Sequence, residues 1–250
     1  MKKASMGVQL YSVRGDVAGD TAGTLKALKE MGYEGVELAG FHNHSAAEWK
    51  TMLDGNGLRA AGTHLGLDRI FPENLQETID TYRTIGCTNL VVPGLPSEYT
   101  GSLDGFRRAC SIMNLAAISL AKAGMALGYH NHAHEFKFVE NRIPYELMLK
   151  CLTTDVFLQL DFGNFREGGI DGVEYARRFP NRLRTVHLKA YKADCKTAVI
   201  GEDDIQWQGV FEACEAPGTL QWYIVEHEVY AEAPMVCVKQ CRDNLRKLGR

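Results

Sequence analysis

Five side chains able to bind a metal or move a proton fall within six residues of one stretch, MALGYHNHAHEF (125–136): His130, Asn131, His132, His134 and Glu135. The stretch begins as an apolar run. Three later runs are built the same way: 156–160 (VFLQL) runs into Asp161, 183–186 (LRTV) into His187, and 222–225 (WYIV) into Glu226. Glu135, Asp161, His187 and Glu226 form a donor set of three carboxylates and one imidazole. That set suits one divalent cation of borderline hardness, and Mn²⁺, Mg²⁺, Co²⁺ or Zn²⁺ would each fit. Gathering three negative charges without a cation is costly.

An apolar strand that delivers a ligand-type residue at its C-terminal end is how a (β/α)8 TIM barrel builds its site. The rest of the chain reads as that rhythm. Strands are expected at 6–11, 35–38, 58–63, 89–92, 125–130, 156–160, 183–187 and 222–226. Helices are expected at 21–31, 45–55, 72–85, 103–123, 144–152, 171–179, 205–215 and 234–248. Leu75, Ile79, Tyr82 and Ile85 recur at helical spacing, and Ser45 with Glu48 has capping-box spacing. Right-handed crossovers between parallel strands close such a series into a barrel. Eight units with short connections leave no room for a second domain, so 1–250 reads as one domain. All eight histidines fall at or just past a predicted strand end, which places a polar mouth there.

The 250 residues match the usual length of one such barrel. A formal charge of −3 offers no basic field for a phosphate backbone, so a nucleic-acid partner is not expected. No run approaches the ~20 apolar residues of a membrane span. The N-terminus carries Lys2 and Lys3 but no apolar leader core, which reads as cytoplasmic. Seven cysteines without a C-x-x-C pair read as reduced and mostly buried.

In order and spacing, VQLYSVRGD (8–16), MGYEGVELAG (31–40), GYHNHAHEF (128–136), LQLDFGN (158–164), VHLKAY (186–191) and IVEHE (224–228) resemble the sugar phosphate isomerase/epimerase superfamily, the xylose-isomerase-like barrels. The resemblance covers essentially the whole chain. It implies four metal ligands: a strand-five glutamate, Asp161, His187 and Glu226. Many members place that glutamate inside strand five. Here His130 stands at that point and Glu135 follows five residues later. Glu135 is taken as the ligand, with His130 or His132 as the alternatives.

The resemblance also implies the chemistry. A metal-dependent sugar isomerase or epimerase removes a proton next to a carbonyl and passes through a metal-bound enediolate. Glu135 and Glu226 are then the acid–base pair. His64, His130, His132, Lys189 and Arg166 are the expected substrate-binding residues, and Glu37 is expected to hold a histidine. The partner is a small sugar or polyol ketone, and a homo-oligomer is compatible with the reading. No Gly-rich phosphate loop follows strands seven and eight, which favours an unphosphorylated substrate. The alternative is a dehydratase or lyase of a keto-sugar or keto-inositol on the same site. A DNA-repair nuclease of the endonuclease IV type is remote, because it needs a multi-zinc cluster and a basic groove.

Overall fold

A computed structural model describes residues 4–250. Lys2 and Lys3, weighed above against a leader, lie outside the described residues. Eight strands form one parallel sheet: β1 (Ser5–Gln9), β2 (Gly35–Ala39), β3 (Arg59–His64), β4 (Asn89–Val92), β5 (Ala126–His130), β6 (Val156–Gln159), β7 (Thr185–Lys189) and β8 (Trp222–Glu226). Their order is β6-β5-β4-β3-β2-β1-β8-β7. The seam between β6 and β7 is drawn together beyond the end of β6. There Asp161 and His187 form an isolated parallel bridge, and the His187 N–H donates to the Leu160 carbonyl at 2.8 Å. The expected TIM barrel is therefore the fold.

Helices follow the strands, and their limits lie close to the sequence reading. Pro72–Ile85 and β4 match it residue for residue. Pro72 occupies the first turn, where its missing N–H costs nothing, and Gly86 closes the helix in the left-handed region at φ 81°. Ser45 and Glu48 form the capping box that their spacing suggested. Additional helices at Arg14–Gly19, Ser97–Thr100 and Phe162–Glu167 fall in stretches read as connections. Each is four to six residues long, too short to carry a hydrophobic period of its own.

Alternation along the strands sorts the barrel interior into two zones. At the N-terminal end Trp222, Ile224 and Ala61 form a small apolar plug. Gly35 makes room for it, since a Cβ there would sit 2.6 Å from the Trp222 ring. Further up, the inward positions turn polar: Gln9, Glu37, Gln159, Thr185 and His187 are all fully buried. The pairing of β2 with β3 shifts register between Val36 and Glu37. The shift sets Gly62 opposite Glu37, and a Cβ at Gly62 would lie 2.7 Å from Glu37 Oε1. The glycine thus leaves space for a carboxylate in the barrel axis. Outward positions such as Val8, Val36, Leu127, Leu158 and Val225 join one large core under the helices.

The seven cysteines are all free, and five of them are buried. Among the described residues no helix is long and apolar enough to cross a membrane.

Candidate active site

His130, Asp161, His187 and Glu226 converge from β5, the end of β6, β7 and β8. One donor atom from each lies within 4.8 Å of the others, and all four residues are buried. Each arrives by strand parity. Gln159 and Asp161 are two residues apart and face the same way, as do Ile224 and Glu226. His187 is the exception to the strand-end expectation. It lies in the middle of β7, because closure of the seam carries that strand on to Lys189.

Asp161 is held through one carboxyl oxygen and through its backbone N–H. Its Oδ1 accepts the Asn164 N–H at 2.6 Å, which caps the Phe162–Glu167 helix. Its own N–H donates to Asn131 Oδ1 at 3.0 Å, and Asn164 Nδ2 donates to the Asn131 carbonyl at 3.0 Å. Among the described residues Asp161 Oδ2 is left buried without any hydrogen-bond partner. An orphaned carboxylate oxygen beside two imidazoles and a second carboxylate is the donor arrangement a divalent cation requires.

The polar layer beneath orients the imidazoles. His187 Nε2 donates to Glu37 Oε2 at 2.6 Å, which leaves Nδ1 facing Glu226 Oε2 at 3.1 Å and Asp161 Oδ2 at 3.8 Å. Gln159 Nε2 donates to Glu37 Oε1 and to Thr185 Oγ1, so its Oε1 is turned toward the histidines. That oxygen can only accept, so the 3.1 Å contact places the proton of His130 on Nδ1 and leaves Nε2 bare. A ligating histidine needs this tautomer. His64 Nε2 reaches the same oxygen at 2.8 Å and Glu37 Oε2 at 3.1 Å. Gln9 Nε2 adds another bond to Glu37 Oε2 at 2.7 Å.

The electrostatics follow from burial and charge. Burial pushes Glu37 up, but His64 and His187 more than reverse it, and the carboxyl ends below its ordinary range. Burial pulls His187 down, yet Glu37 and Glu226 outweigh it and raise the ring to about 10. Burial, reinforced by the neighbouring imidazoles, holds His130 well below the usual histidine value. Asp161 is raised to about 7, chiefly by burial, with Lys189 opposing and Glu226 adding. In Glu226 burial is overcome by His187 and Lys189, so its carboxyl lies well below the usual range.

Glu135, the expected strand-five ligand and acid–base partner, is not brought into this group. It lies in the short 3-10 turn Ala133–Phe136 and is fully buried. Its Oε1 accepts the Tyr129 hydroxyl at 2.5 Å and its Oε2 accepts the His132 N–H at 2.5 Å. The turn that follows β5 points the glutamate back at the strand, and His130 stands where the other three converge.

The remaining expected residues divide. His64, His130 and His132 line a cavity of about 660 Å³ over the cluster, together with Glu226. The Nδ1 of His132 is buried and has no partner among the described residues. Lys189 ion-pairs with Glu228 and lies 3.9 Å from Glu226 Oε2. Arg166 is exposed and lies 5.9 Å from the Tyr191 ring centre, lining a separate cleft with Arg177 and Asp171. Of the other histidines, His44 bonds Thr21 and His227 packs on Tyr230. Asn164, Gln159 and Glu228 were not singled out as site residues in the sequence. Asn164 had a signal, since it stands three residues after Asp161 in capping spacing.

The sequence matches the profile of the xylose isomerase-like TIM barrel family over residues 25–247. The chain belongs to that family. It is similar to a sugar phosphate isomerase/epimerase from Parabacteroides distasonis ATCC 8503, at 25% identity over 98% of this chain and 97% of that one, with a TM-score of 0.86. It also resembles the inosose dehydratase of Geobacillus kaustophilus (strain HTA426), 24% identical over 199 residues. That match covers 68% of this chain and 62% of the relative. The 3-keto-D-glucoside 4-epimerase of E. coli shares the fold, with a TM-score of 0.69 at 16% identity over 99% of both chains. The chain is thus similar in structure to a sugar phosphate isomerase/epimerase and in sequence to a dehydratase.

Proposed function

We propose that this chain is a divalent-metal-dependent isomerase or epimerase acting on a small sugar or polyol ketone. The observation that carries the reading is the meeting of His130, Asp161, His187 and Glu226 around the unpartnered Asp161 Oδ2. These four side chains would hold the cation, and Mn²⁺, Mg²⁺, Co²⁺ and Zn²⁺ all suit the set. When bound, the cation supplies electrostatic stabilisation for negative charge developing on adjacent substrate oxygens.

The protein's own groups do the rest. Glu226, ionised and held by His187, takes the proton from the carbon next to the carbonyl. Lys189 lies near enough to steady a substrate oxygen. His132, from the end of β5, lines the same cavity and can hold a hydroxyl or return a proton. Glu37 fixes the tautomer and the plane of His187 from below.

A second reading, a dehydratase, is supported by the likeness to inosose dehydratase. Elimination of water begins with the same proton abstraction. The test is incubation of Mn²⁺-loaded protein with a panel of keto-sugars and keto-inositols, followed by mass analysis. Retained mass supports isomerisation, and loss of one water supports the second reading. Conversion that is indifferent to chelation would sink both.

A further inference from the structure

We infer that a second cleft, outside the catalytic cavity, binds a phosphate monoester bearing free hydroxyl groups, with Arg166 and Arg177 as its anion anchor. The cleft has a volume of about 350 Å³. It lies between the two helices after β6, Phe162–Glu167 and Gly172–Arg178, and the start of the Trp207–Glu215 helix after β7. It shares no lining residue with the cavity over the four-residue cluster. Its apolar side is built of Phe162, Ile205 and Val210, all buried. Gly172 lets the neighbouring wall close on that side, since a Cβ there would sit 2.9 Å from the Phe162 ring.

Four charged side chains line the cleft: Arg166, Arg177, Asp171 and Asp204. Among the described residues none of the four forms an ion pair, although opposite charges face one void. Arg178, the next residue, is taken by Glu146, whereas Arg166 lies beside the Tyr191 ring. Asp171 and Asp204 each give one oxygen to a backbone N–H, that of Val173 at 3.0 Å and that of Ala193 at 3.1 Å. Their second oxygens make no hydrogen bond among the described residues. Asp203 is turned to the Trp207 ring N–H and to the backbone of Tyr191 and Gly201, and Glu167 and Glu174 stand outside the lining.

Guanidinium groups receive an oxyanion through forked N–H donors. Ionised carboxylates only accept, so the two aspartates call for hydroxyl donors. A phosphate monoester of a polyol presents both, and its carbon chain suits the apolar side. Gln206 and Gly209, at the start of the Trp207–Glu215 helix, also line the cleft, and that start has no side-chain cap and no acidic residue in its first turn. It adds to the arginines on the anion side. An amino acid, the zwitterionic alternative, offers two carboxylate oxygens where a phosphate offers three.

Calorimetry on the full chain, with inorganic phosphate and glycerol 3-phosphate as probes, tests this without any turnover. The ester should bind at least about threefold more tightly than free phosphate, because it adds hydroxyl donors. Asp204→Ala should remove that advantage. Arg166→Gln/Arg177→Gln should weaken ester binding about tenfold or more. Arg107→Gln, which removes an exposed charge from the Leu103–Lys122 helix, should change it by less than about twofold. Raising ionic strength should weaken binding, because salt screens the attraction. Both cleft arginines are exposed, and melting curves check that the double variant folds. Ester binding that survives loss of both arginines and vanishes on chelation would belong to the catalytic cluster and overturn the proposal. Equal affinity for free phosphate and ester, tighter binding of glutamate than of the ester, or no binding of either probe would also overturn it.

Discussion

Asp161 and His187 face each other across the last seam of the barrel, as the isolated bridge that draws β6 and β7 together. The same two residues contribute two of the four converging donor groups. Ring closure and site assembly are therefore one event in this chain. A cation held there would tie the seam as well as serve the chemistry.

The first prediction concerns the ligand set. Elemental analysis should find one cation in the wild type, and Asp161→Ala, Glu226→Ala and His130→Ala should each lose most of it. Glu135→Ala should keep the metal and lose stability instead. Its two buried donors, the Tyr129 hydroxyl and the His132 N–H, would be left unpaired, at a cost of about 1–3 kcal/mol. Melting should fall by several degrees. A metal-free Glu135→Ala beside a metal-loaded His130→Ala would return the ligand role to Glu135.

Glu37 touches no converging carboxylate but holds His187 through Nε2. Glu37→Gln should weaken cation binding about 10–100-fold, the usual cost of removing such a support. Titration with Mn²⁺ followed by electron paramagnetic resonance would measure this. An unchanged dissociation constant would leave Glu37 as a purely structural polar residue.

Proton abstraction next to a carbonyl has an isotopic consequence. In D₂O the protein should wash deuterium into the carbon beside the carbonyl of a substrate ketose before net conversion, seen by NMR. Glu226→Gln should slow this about 10²-fold or more. Conversion without any wash-in would point to direct hydride transfer and overturn the mechanism.

Away from the site, Glu146 accepts two bonds from Arg178 and one from the Tyr175 hydroxyl. The Arg178 bonds, against a smaller effect of burial, lower its carboxyl from 4.5. A lowered folded value means the stabilisation is complete above about 4.5 and is lost as pH falls through the folded value. Melting curves of the wild type against Glu146→Gln should therefore converge on acidification and separate at neutral pH. Parallel curves at every pH would refute the linkage.

The barrel was legible because apolar strands and amphipathic helices alternate eight times, and because Ser45 and Pro72 mark helix starts by local backbone chemistry. Asp161, His187 and Glu226 were legible for the same reason: strand position and parity alone bring residues at those places to one end of a parallel barrel. The strand-five donor was not. Whether His130 or Glu135 joins the group depends on how the chain turns after β5. Tyr129 and the His132 N–H decide that by capturing the glutamate. The polar floor was equally hidden. Gln9, Glu37 and Gln159 come from three strands separated by many residues, and only closure of the barrel makes them partners. Local sequence thus determined the elements and the end of the barrel where polar side chains gather. Tertiary structure decided which of those side chains meet, because donor distances of a few ångströms are set by packing across the ring and not by spacing along the chain.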